Sequence, residues 1–206
     1  ATTRHPHPPR PVARRARPWT RWIQPNVSVL GYALYLAINA TSLWGGVFPF
    51  FPDEFRTSQV TFSFMISQSL SFLFMFLSSM ASSYWGHGTF ARVLPLGSTA
   101  ASFVGSALLI AALYLSDVQI GLVVLAGIFL GVGAAGFALT WQRYFSSLSA
   151  SFGNYFLLLA TACGSIVFFV LYLVPIAVTV YLVPLVLVPL CGLCAVLSDR
   201  AGDLGQ

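Results

Sequence analysis

The sequence predicts an all-α bundle of six membrane-crossing helices, and three observations carry that expectation. Charged residues make up only 7% of the chain and hydrophobic residues 57%, with a mean hydropathy of +0.83. A soluble domain carries about 25% charged residues, and at this composition it would lack the polar surface to cover itself. In lipid the requirement reverses, because apolar surface is free and charge is costly. Second, six apolar segments each approach the ~20 helical residues that cross a hydrocarbon core. Third, the arginines fall almost wholly on one side of those segments.

Residues 1–27 form an arginine- and proline-rich tail. It holds Arg4, Arg10, Arg14, Arg15, Arg17 and Arg21, and no acid. Its prolines oppose a regular helix, so the tail is expected to be disordered, to lie in the cytoplasm and to touch anionic lipid. The Arg14-Arg15 pair fits a twin-arginine export signal poorly, because of the residues after it. No small-x-small cleavage site follows the first apolar run.

The transmembrane region is expected over residues 28–197, followed by a short cytoplasmic tail over 198–206. The six segments run approximately over residues 29–51, 60–84, 93–115, 118–141, 152–174 and 176–197. Little but Pro175 separates the last two. One continuous helix over 152–197 would overspan a bilayer about twofold, so a tight hairpin is expected there. With the tail inside, alternation puts Arg92, Arg143 and Arg200 on the same side as the six tail arginines. Only Arg56 lies opposite, with Asp53, Glu54 and Asp117. This obeys the positive-inside rule and places both ends in the cytoplasm, as for a multi-pass protein of a bacterial inner membrane.

No charged residue lies within any of the six segments. Proton pumps and voltage sensors need an ionisable group in the membrane, and an intramembrane hydrolase needs a nucleophile with a base or a metal. The histidines, His5, His7 and His87, all lie outside the segments. The chain is therefore read as non-enzymatic, with no cofactor and no metal. The three cysteines sit in apolar runs, and Cys191-Gly192-Leu193-Cys194 is read as small residues of a membrane helix rather than a redox or zinc motif. The positive net charge reflects topology rather than contact with nucleic acid.

The polar residues that do enter the segments are Asn39, Gln68 and Asn154, with several serines and threonines. An amide in lipid seeks an interhelical hydrogen bond worth roughly 0.6–2 kcal/mol. Two readings stand: packing contacts between helices, or a polar cavity lined by Asn39, Gln68 and Asn154 for a small neutral ligand.

The fourth segment contains Gly131-Val-Gly133-Ala-Ala-Gly136. As a pattern this is the dinucleotide fingerprint, but that motif needs a strand before it and a helix start aimed at pyrophosphate. Gly127, Gly131 and Ala135, four apart, instead predict a groove where another helix approaches closely. Trp141 and Tyr144 are then expected in the interfacial aromatic belt, and Arg143 at the cytoplasmic end.

The run from Gly131 through Trp141-Gln-Arg143-Tyr-Phe-Ser-Ser-Leu148 resembles the membrane domain of bacterial LuxR-type regulators. In these a glycine-rich fourth helix enters a Trp-x-Arg-aromatic cytoplasmic segment. Leu30-Gly31-Tyr32-Ala33-Leu34-Tyr35 with Phe48-Pro-Phe-Phe-Pro52 is similar to their first helix. That domain in turn resembles one six-helix half of a major facilitator fold. The resemblance implies a sensory region in which a neutral or lipophilic ligand shifts helix packing and Trp141 and Arg143 couple the change to a helix-turn-helix domain. No such domain lies within these residues, so this chain itself would contact no nucleic acid. Two alternatives are a transporter half, acting with a second half or as a homodimer, and a structural subunit of the bilayer. The loop Trp85-Gly-His-Gly-Thr-Phe-Ala-Arg92 departs from the major facilitator pattern by lacking its acid.

Overall fold

Glycine and serine, rather than large apolar residues, set how these helices meet. The computed structural model describes residues 18–43, 58–82 and 88–203, and among them there is no strand. The helices are α1 (Pro18–Leu43), α2 (Ser58–Ser82), α3 (Gly88–Tyr114), α4 (Gln119–Ser146), α5 (Ala150–Leu173), α6 (Ile176–Leu182) and α7 (Val188–Asp203). A 3-10 turn, Ser116–Val118, leads into α4, and a π-helical turn, Val183–Leu187, joins α6 to α7.

Five of the runs are long and apolar enough to cross a membrane: Gln59–Met80, Val93–Tyr114, Ser116–Ser146, Ala150–Leu173 and Ala177–Asp199. The expected sixth span, the first in the chain, is α1. Its helix starts at Pro18, earlier than the apolar pattern alone suggests. Proline is tolerated in a first helical turn, where its missing N–H has no partner to lose. Residues 44–51 of that span lie outside the described residues, as do residues 1–17 of the tail and the loop arginines' surroundings at 56.

The helix break expected at Pro175 is present. Val174 and Pro175 are both extended (ψ 137° each), which ends α5 and restarts a helix at Ile176. The rest of that sixth segment is one continuous helical run from α6 into α7. Pro184 lies in its π-helical turn, where the widened turn accommodates a residue that cannot donate to the helix ladder.

α4 is the centre: 56% of its apolar window is buried, against 17% for the windows of α2 and α5. α4 packs between α2 and α3, and α1 packs between α5 and α7. α3 and α7 close the bundle against each other. Exchanging α1–α3 for α4–α7 in order therefore preserves the main packing pairs. The directions follow from the contacts. Gly127 meets Phe64, Ser67 and Gln68, while Gly131 meets Gln68, Ser71 and Phe72, so α2 and α4 run parallel. Gly133 meets Ser102 and Gly136 meets Ser98, so α3 runs antiparallel to α4. Gly31 faces Cys194 and Ser28 faces Ser198, so α1 and α7 are antiparallel.

The serine and threonine hydroxyls inside this apolar bundle are mostly satisfied on their own helices. Ser71 donates to the Ser67 carbonyl (2.7 Å), Ser98 to Leu94 (2.7 Å), Ser106 to Ser102 (2.8 Å) and Thr140 to Gly136 (2.9 Å). Back-bonding of this kind leaves a small, slim side chain at each helix contact, so backbones can close without an orphaned polar group.

Candidate functional site at the Arg143 end of α1, α4 and α7

Gly31 and Trp141 organise one end of the bundle. A Cβ at Gly31 would stand 2.6 Å from the Cβ of Cys194 and 2.6 Å from Cη2 of Trp141, so only glycine lets the indole come this close to α1. Trp141 is 1% exposed. This corrects the expectation that it belongs to the aromatic belt: it is a core residue, buried by the glycine opposite it. Tyr144, one turn on, is only half-buried.

Around the indole the aromatics meet edge to face. Tyr32 stands 5.9 Å from Trp141 at 73° and 5.0 Å from Phe145 at 83°, and Tyr144 stands 6.0 Å from Trp141 at 88°. Such geometry places positive ring edges on negative faces. Tyr35 extends the row toward Phe137. The backbones of α1 and α4 touch only sparsely, and these side chains fill the seam between them. Tyr32, Tyr35, Tyr144 and Phe145 are half-buried, so the seam opens on one side of the bundle.

Polar contacts tie the same end together. Arg143 Nη2 lies 3.6 Å from Asp199 Oδ1, joining α4 to α7. The Ser28 and Ser198 hydroxyls are 2.8 Å apart and join α1 to α7. The Cys191 thiol donates to the Gly31 carbonyl at 3.5 Å, so Cys191 and Cys194 serve as small packing residues in this junction. The indole Nε1 of Trp141 is buried without a hydrogen-bond partner.

The three amides singled out from the sequence do not meet here or in any one place. Asn39 hydrogen-bonds the Tyr35 hydroxyl one turn back on α1, at the far edge of the aromatic seam. Gln68 is sealed between α2 and α4, with α4 between it and α1. Asn154 is exposed near the start of α5. Gly164 packs against Ala33 and Leu36, so at ~1.5 Å per residue Asn154 and Asn39 stand roughly 20 Å apart along the bundle. A common cavity for all three is therefore ruled out by register. Gly127 and Gly131 do form the close contact their spacing predicts, with α2 as the partner, and Ala135 is buried on the same helix. Gly133 and Gly136, half a helical turn away, form a second close contact with α3.

Tyr32, Tyr35, Ser28 and Asp199 are site residues that the sequence did not reveal. Tyr32 and Tyr35, three apart on α1, carried the clue of a shared helix face. Asp199 carried another, as an acid on the same side of the membrane pattern as Arg143.

No protein-family model matches the chain, and neither a curated protein nor a solved structure matches it. What the fold itself defines is a class: an α-helical integral membrane protein with several spans.

Proposed function

We propose that this chain is a ligand-responsive membrane module, and that a small neutral or lipophilic molecule binds along the α1–α4 aromatic seam. The observation that carries this reading is the seam itself. Sparse backbone contact between α1 and α4 and aromatic side chains filling the gap, with the charged Arg143–Asp199 pair only at its end, suit an uncharged, largely apolar ligand. A ligand there separates or draws together α1 and α4. The Arg143–Asp199 and Ser28–Ser198 contacts pass that movement to the end of α7. With the Trp-x-Arg-aromatic resemblance, this favours the sensory region of a LuxR-type regulator at a bacterial inner membrane, its Arg143 end in the cytoplasm.

The second reading is half of a major-facilitator-like transporter. The exchange of α1–α3 with α4–α7 that preserves the packing pairs favours it, since transporter halves are commonly built from inverted repeats.

The test is a thermal-shift screen of neutral lipophilic compounds on the protein in lipid nanodiscs. Compounds that raise the melting temperature of the wild type but not of Tyr32→Ala or Phe145→Ala are expected. A screen in which every stabilising compound acts equally on those variants sinks the seam as a binding site. Reading the gene past the codon for Gln206 separates the two functions. A further membrane half followed by a helix-turn-helix supports the sensor, and a second half without one supports the transporter.

A further inference from the structure

α6 is the least supported helix of the bundle. Among the described residues, its backbone packs substantially only on the π-helical turn that follows it. That turn, by contrast, is held by α1, α3 and α7, with Pro184 and Leu187 buried. At its other end α6 is cut off from α5 by the extended pair Val174 and Pro175. The short helix therefore stands between two breaks in the helical ladder. Pro175 marks the first. The second lies where Pro184 has no N–H to donate and Val188 bonds five residues back, to the Val183 carbonyl. Element-terminal residues of this kind are where hinges form.

Two side-chain ties hold α6 in place, and both are weak. The Thr179 hydroxyl has one proton for three carbonyls, those of Leu171 (3.5 Å), Val174 (3.5 Å) and Pro175 (3.4 Å), all long for a hydroxyl donor. The Tyr114 and Tyr181 hydroxyls meet at 2.9 Å and join α6 to the end of α3. Both tyrosines are exposed, at the end of the bundle opposite Arg143, where water can replace either partner.

What α6 closes is the far end of the α1–α4 seam. Leu182 and Val183 pack with Leu171 into the same cluster as Leu34, Ala37 and Phe137. Because α1 and α7 are antiparallel with Gly31 level with Cys194, Leu187 stands level with Ile38, and Leu182 lies beyond the Asn39 edge of the seam. We propose that α6 is a hinged gate on that seam, pivoting on its π-helical turn and latched by the Tyr114–Tyr181 bond. Swinging α6 outward withdraws Leu182 from the cluster and opens the seam to a small apolar molecule from the end opposite Arg143. The role as a gate for ligand rests on the seam being the binding site, whereas the hinge itself does not.

The experiment has two readouts on the whole chain in lipid nanodiscs. The first is double electron–electron resonance from a spin label at Leu70 on α2 to one at Val178 on α6, compared with the same reference and Leu193 on α7. All three positions are exposed, and Cys163, Cys191 and Cys194 are replaced by alanine in this background. The distance distribution to Val178 should be the broader, and Tyr114→Phe should add a second population to it alone. A distribution to Val178 as narrow as that to Leu193, and unmoved by Tyr114→Phe, overturns the proposal. The second readout keeps the native cysteines and uses methyl methanethiosulfonate, a small neutral thiol reagent, with mass spectrometry. Cys191 is buried in the seam's cluster, and Cys163 is half-buried on α5. Cys191 should be modified severalfold faster in Tyr114→Phe than in the wild type, with Cys163 unchanged. Equal Cys191 rates in the two proteins overturn the gate even where α6 moves. If both readouts hold while Tyr32→Ala and Phe145→Ala keep every thermal shift, the hinge and its opening stand and the ligand assignment alone falls.

Discussion

Trp141 is buried because residue 31 is glycine. The two lie on helices whose backbones barely touch, and the indole bridges them through the space a side chain at 31 would take. Gly31→Ala should therefore cost about 1–3 kcal/mol through overpacking. Trp141→Phe should recover part of that loss and no more, because the clash with the Cys194 Cβ remains when the indole is gone. Melting temperatures of the two single variants and the double variant in nanodiscs check this. Full recovery would mean that Cys194 yields freely.

The glycines of the bundle are not equivalent. Gly97 and Gly121 have nothing within 4 Å of an added Cβ, whereas one at Gly131 would meet the Gln68 carbonyl and stand 2.9 Å from Ser71 Cβ. Gly97→Ala and Gly121→Ala should stabilise by roughly 0.5–1 kcal/mol, the helix-interior preference for alanine. Gly131→Ala should destabilise by about 1–3 kcal/mol, since backbone cannot move aside as a side chain can. Unfolding in mixed micelles reads all three.

Arg143 and Asp199 are a test of coupling rather than of stability. At 3.6 Å, with the arginine side chain 46% exposed, the pair should contribute less than about 1 kcal/mol. Arg143→Gln is expected to leave the melting temperature nearly unchanged. It should still alter the ligand-dependent distance between spin labels at the exposed positions 30 and 147, measured by double electron–electron resonance. An unchanged distance response would remove the pair from the coupling path.

Orientation can be read with single cysteines. Ser116 and Ser147 are exposed at opposite ends of α4. In a background lacking the native cysteines, Ser116→Cys should react with a membrane-impermeant maleimide in intact cells. Ser147→Cys should react only after lysis. The reverse pattern would invert the topology that the arginines predict.

How much of this was legible in the sequence differs by residue. The spans were, because apolar length is a property of each helix alone. The Gly127–Gly131 contact was, because spacing of four fixes a shared face whatever the partner. Which helix fills the groove was not, since nothing local says that α2 lies parallel to α4. Trp141 was misplaced for the same reason: a tryptophan beside an arginine reads as interfacial until a glycine on a distant helix turns out to receive it. The amides Asn39, Gln68 and Asn154 were recognisable as exceptional, but their grouping depended on register between helices, which no local pattern encodes.

The reciprocal embrace of α4 by α2 and α3, and of α1 by α5 and α7, bears on how the chain is made. Helices enter the bilayer in the order of synthesis, so α2 and α3 arrive with Ser67, Ser71, Ser98 and Ser102 facing lipid, their partner still inside the ribosome. Neither triplet holds its own centre. The arrival of α4 completes the first group, and α1 waits longer still, for the last helix of all. Assembly is therefore deferred to the end of translation, and a chain halted before α4 would display its slimmest, most polar helix faces to the bilayer and to the cell's membrane quality control.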